Sequence, residues 1–149
     1  MRRTFLWINF VLASIIVLGV FLQAYFIASY AMGAGEGALD AHGVVGGLVI
    51  HLSELLIFLT AFGAWPRQWR WIGFTFALFV VGTIQIFLLP SDDDTVSESA
   101  AWVHGLHGLF ALIVLVMAAW IAHRAMRDLG LRGGRRDELA GAETPLPPP

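Results

Sequence analysis

An all-α fold, a transmembrane four-helix bundle of up-down-up-down topology, is what this sequence predicts, and three observations predict it. The 149 residues are 58% hydrophobic and only 13% charged, with a mean hydropathy of +0.74. A soluble domain is nearer half apolar and a quarter charged. Four apolar segments each approach the ~20 residues that a spanning helix needs. The breaks between them differ in charge, one side holding arginine and the other only acids.

The elements follow in order, all within one domain over residues 1–127. The first helix, about 5–30, follows "MRR". Its apolar run of about 25 residues exceeds the 7–15 of a signal-peptide core, so it is expected to be a retained span. The glycine-rich "MGAGEGALDAHG" then separates it from the second helix, about 44–65. "AWPRQWRW", with a proline and two arginines, precedes the third, about 71–89. "PSDDDTVSES" leads to the fourth, about 101–126. The polar, proline-ended remainder, 128–149, reads as a disordered cytoplasmic tail. Short loops between consecutive spans favour the up-down-up-down arrangement. In the simplest square, helices two and four are then diagonal.

All nine basic residues are arginines. Arg2 and Arg3 precede helix one, Arg67 and Arg70 lie between helices two and three, and Arg124, Arg127, Arg132, Arg135 and Arg136 follow helix four. With four crossings these places share one side. The opposite loops hold Glu36, Asp40, Asp92, Asp93, Asp94 and Glu98 and no arginine. The positive-inside rule therefore puts both termini in the cytoplasm of a cell inner or plasma membrane. Trp65, Trp69 and Trp71 gather at the inner boundary and Trp102 at the outer one, as an aromatic belt would.

Several chemistries are excluded. Without cysteine there are no disulfides, thiolate metal sites or cysteine nucleophiles. No nucleotide fingerprint, nucleophile triad or HExxH is present. The arginines serve topology, so no nucleic-acid partner is implied. The bilayer is the evident partner, and the oligomeric state, homo-oligomer included, stays open.

Ionisable groups inside a span are costly and usually face the bundle interior. Here they are His51, Glu54, His104 and His107, with His42 at the outer mouth. Gln23 and Gln85 join them from helices one and three, so the polar residues cluster in the outer half. His51 lies 16 residues before Arg67 and His107 lies 17 before Arg124. Both counts give roughly 25 Å at 1.5 Å per residue, so the two are expected at one depth on opposite helices. His42 is nine residues above His51 and turned some 180° away at 100° per residue. His104 is one short turn above His107, an alternative ligand or a neighbour of a propionate or water.

Paired imidazoles at one depth could hold haem iron from both sides. Gly43 and Gly47, on the His51 face, with Gly46, Gly82, Gly105 and Gly108, would leave room for the macrocycle. The cofactor so implied is haem b, its work electron transfer with a quinone or respiratory-chain partner, and His51 and His107 its iron ligands. His42, His104 and Gly47 would contact it. Propionates at the outer face would meet no arginine or lysine there, only His42, His104, Trp102 and backbone amides. Glu54, three residues past His51, reads as a proton or quinone site, or as a carboxyl bonded to a neighbouring helix. The alternative needs no cofactor: an accessory subunit or small transporter with an interhelical His/Glu/Gln network. Asp92–Asp94 could bind Ca²⁺ or Mg²⁺ but reads better as a solvated loop. Asp40, His42 and His104 could take a transition metal, and His123 reads as an interface residue.

"GGLVIHLSELLIFLTAF" and "HGLHGLFALIVLVMAAWIAHRA" resemble helices two and four of half of a haem A synthase. The resemblance implies a four-helix bundle with one ligand histidine from each of those helices, here His51 and His107. The chain departs from that enzyme at Leu48, where a catalytic glutamate would precede His51 by a turn, and one half-bundle is missing. Oxygenation of the haem methyl is therefore not implied. As a whole, residues 4–126 resemble more closely a family of small four-span bacterial membrane proteins of unassigned function.

Overall fold

The computed structural model describes residues 1–88 and 98–131. Its elements are α1 (Arg2–Ala31), α2 (Glu36–Val44), a π-helical segment (Val45–Ile50), α3 (His51–Ala64), α4 (Trp69–Phe87) and α5 (Glu98–Asp128). α2, the π segment and α3 form one continuous span. Among the described residues, four helices are thus long and apolar enough to cross a membrane, and the all-α four-helix bundle is as expected. The tail beyond residue 131, the Asp92–Asp94 run and the side chain of His104 lie outside the described residues.

Local chemistry sets the ends. α1 closes in a Schellman turn: Ala34 N–H donates to Ser29 O and Gly33 N–H to Tyr30 O. Gly33 stands at φ 93°, the left-handed position that favours glycine. α5 closes the same way, with Leu131 N–H on Met126 O, Gly130 N–H on Arg127 O and Gly130 at φ 78°. Pro66 follows the end of α3. The polar stretch before the second span is helical from Glu36, so that span begins earlier than the sequence suggests.

Around the bundle α1 packs on α3 and α5, and α4 packs on the same two. α3 and α5 are therefore diagonal, as the square arrangement requires. α2 packs on α1 alone among the other α-helices with a substantial interface, apart from the π segment that continues it.

Lipid tails are as apolar as a leucine core, so close packing has to hold spans together. Small residues provide it: Ala13, Ala61, Ala64, Ala118 and Ala125 are wholly buried. At the end carrying the arginines, polar bonds lock the helices. Asp128 accepts from Trp65 Nε1 (2.9 Å) and Arg124 Nε (3.1 Å), and pairs with Arg2 (3.7 Å). Arg2 also donates to Ala64 O (3.2 Å), and Arg124 stacks on the Trp71 ring (5.1 Å). One turn deeper, the buried Asn9 amide donates to Thr60 Oγ1 (3.0 Å), joining α1 to α3.

This packing stops partway up. The last buried residues are Val20, Ile50, Gly82 and Val114, and beyond them no residue with a described side chain is buried in any span. The end bearing the acidic loops is an open half-bundle on a closed one.

Candidate functional site at the open end of the bundle

The second span widens where it meets α1. An alanine at Gly19 would press on Ile50 Cγ1 at 2.9 Å, and one at Gly46 would collide with the Gln23 side-chain amide. Two glycines thus let the span sit close on α1 across Val45–Ile50. The π turn, with its i→i+5 bonding, takes up one extra residue there and rotates everything before it by roughly 100°. His42, expected to face away from His51, is re-aimed by this turn.

His42 comes to lie beside His107. Their ring centroids are 6.2 Å apart with planes at 47°. His42 Nδ1 is 3.2 Å from the carbonyl oxygen of Gln23, and His107 Nδ1 is 3.0 Å from that of Gln85. A carbonyl only accepts, so both Nδ1 atoms donate. In a neutral imidazole so held, the lone pair lies on Nε2. The Gln85 amide nitrogen stands 3.4 Å from His107 Nε2, on the donor side of a long contact.

His51 has a different set of partners. Its Nδ1 is 3.0 Å from Glu54 Oε2, and its ring stacks on Phe79 at 5.2 Å. Glu54 is wholly buried, seated against the bare backbone of Gly82, where an alanine Cβ would overlap its carboxyl group. Its other oxygen, Oε1, has no hydrogen-bond partner among the described residues.

The expected pairing of His51 with His107 at one depth is therefore corrected. Trp65 and Asp128 are hydrogen-bonded and mark one level on the two helices. His51 is 14 residues from Trp65, whereas His107 is 21 from Asp128. The seven-residue difference is roughly 10 Å. Their α4 partners agree: Gln85 lies six residues beyond Phe79, roughly 9 Å. The count from arginines fails because Arg67 lies past the end of α3 while Arg124 lies within α5. His42, 23 residues from Trp65, is the one near the His107 level.

The structure thus brings together His42, His107, Gln23 and Gln85, and separately His51, Glu54, Gly82 and Phe79. Gly47, with Gly43, Gly105 and Gly108, faces open space: a Cβ on any of them would meet nothing within 4 Å. No three metal-ligating side chains converge among the described residues, and a site using Asp40, His42 and His104 depends on a side chain outside them. Phe79 carried no sequence signal. Asp128, the hub of the closed end, had one in its i,i+4 spacing from Arg124. Compared with family models, curated proteins and solved structures, the chain matches none of them.

Proposed function

We propose that the chain is an integral membrane b-type haem protein that transfers electrons, its cofactor held between the second and fourth spans at the open end. One observation carries the reading: the His42 and His107 rings lie with centroids 6.2 Å apart, and both Nδ1–H groups are held by backbone carbonyls. Metal-bound histidines nearly always donate the other ring nitrogen to a carbonyl or carboxylate, which fixes the tautomer and leaves Nε2 for the metal. Two imidazoles suit haem iron, which would displace the 3.4 Å contact of the Gln85 amide from His107 Nε2, and His42 with His107 takes the place of His51 with His107 as the proposed ligand pair. Gly43, Gly47, Gly105 and Gly108 are exposed and carry no side chain that would obstruct a flat macrocycle. When bound, haem supplies one-electron chemistry. The chain's part is to orient two imidazoles, and His51 with Glu54 forms a proton or quinone site one to two turns deeper. Arginine placement puts both termini in the cytoplasm, which opens the site toward the outer face, where a quinone or respiratory partner would dock.

Oxidised and reduced absorption spectra of protein made with ample haem test this. A Soret band that shifts on reduction, is lost in His42→Ala and His107→Ala and survives in His51→Ala supports it. Colourless, folded protein refutes it. That outcome favours the cofactor-free reading, an accessory subunit or small transporter, for which the Gln85–His107 contact would be an ordinary interhelical bond and the His51–Glu54 contact an i,i+3 bond within α3.

A further inference from the structure

At the closed end, away from His42, His51 and His107, the α3–α4 turn and α5 enclose an open pocket of about 700 Å³. Arg67 and Arg70 line it with Trp69, Trp71, Phe74 and Trp120. Asp128 is the one acidic residue described at this end, and it is shared by Arg2, Arg124 and Trp65. Arg67 and Arg70 form no ion pair among the described residues. Both line the pocket with no acidic partner among the described residues.

Two features show what the pocket is shaped to take. Arg67 is held at φ 63°, the one non-glycine residue at positive φ among those described. Such strain persists where the surroundings fix it, and it clusters at binding sites. The walls change character with depth. Arginines stand at the turn, where the chain leaves the membrane, while Phe74 and Trp120 lie a turn or more into the spans. Trp69 and Trp120 are 72% and 60% exposed, and indole rings favour the height where headgroups meet acyl chains. The first turn of α4 also has no side-chain cap, so its first amides have no side-chain acceptor.

We infer that this pocket binds the headgroup of an anionic phospholipid from the leaflet at the arginine end, phosphate on Arg67 and Arg70 and acyl chain against Phe74 and Trp120. Opposite charge and amphipathic depth argue for a lipid over a soluble anion, which would leave the aromatic walls bare. The site is independent of the haem reading.

Spin-labelled phosphatidylglycerol and phosphatidylcholine, each at the same mole fraction in vesicles holding the full chain, provide the test. The motionally restricted fraction should favour phosphatidylglycerol by roughly fivefold, the worth of one arginine near a charged surface. R67Q/R70Q should abolish the preference and R67K/R70K keep most of it, with far-UV dichroism showing all three folded. The triple variant R132Q/R135Q/R136Q should retain it. Equal partition in the wild type overturns the inference, as does a preference that survives R67Q/R70Q or vanishes in the tail variant. Displacement by added inorganic phosphate at constant ionic strength would assign the pocket to a soluble anion instead.

Discussion

Replacing Gly82 by alanine asks whether α4 is shaped around a carboxyl group. In water-exposed helices this exchange gains up to ~1 kcal/mol from propensity alone. Here the new methyl would overlap the Glu54 carboxyl, which is wholly buried and has nowhere nearby to go. Overpacking of this kind costs ~1–3 kcal/mol. Moving the carboxyl also breaks the bond to His51 Nδ1, worth ~0.5–1.5 kcal/mol. Against the propensity gain, Gly82→Ala should destabilise the wild type by about 1–3 kcal/mol. In a Glu54→Ala background the obstacle is gone and the methyl refills part of the space. There the same exchange should be neutral or stabilising by up to ~1 kcal/mol. The assay is a double-mutant cycle on reversible unfolding in dodecylmaltoside micelles, driven by added SDS and followed by far-UV dichroism. A change of sign between backgrounds, with ~2 kcal/mol of coupling, is the expected result. Additivity within ~0.5 kcal/mol would show that Gly82 does not seat Glu54.

Neighbouring glycines in the π segment should behave oppositely: Gly46→Ala should cost ~1–3 kcal/mol by striking the Gln23 amide, while Gly47→Ala should cost nothing in the same titration. Trp65→Phe keeps the buried ring but loses the bond to the Asp128 carboxylate, and should lower stability by ~1.5–3 kcal/mol. Because the chain has no cysteine, single cysteines at Ser91 and Ala140 report topology cleanly. A membrane-impermeant maleimide should label the first in intact cells and the second only after lysis. Asn9→Ala should cost ~1 kcal/mol through the lost bond to Thr60, measured by the same SDS midpoint.

The architecture was legible because span length, loop charge and loop brevity all constrain it independently. Diagonal placement of helices two and four followed from connectivity alone. The site was less legible, for two physical reasons. Depth was counted from arginines, but an arginine marks the water boundary and not a helix end. Arg67 sits in the turn after α3 and Arg124 four residues inside α5, so equal counts did not mean equal levels. The second reason is the π turn. Val45–Ile50 has no proline or charge to announce it, and it lies where Gly19 and Gly46 let two spans sit close. It shifts His42 around the helix, which a uniform 100° step cannot foresee. The clustering of His42, Gln23, Gln85 and His107 at one end was nonetheless visible, since depth within a few residues was enough for that.

The contrast between a closed and an open half makes the molecule a clamp with a fixed jaw. Helix pairing and topology are set by Asp128, Trp65 and the alanine seams, so the other ends of the spans can spread without unfolding the chain. Regions with few buried contacts open at low free energy. A ligand bound between α2 and α5 at that end would hold the spans together, and its binding would appear as thermal stability. At a hundred times its dissociation constant such a ligand would add ~2.7 kcal/mol, a melting shift by which unknown occupants can be screened without a coloured cofactor or an activity assay.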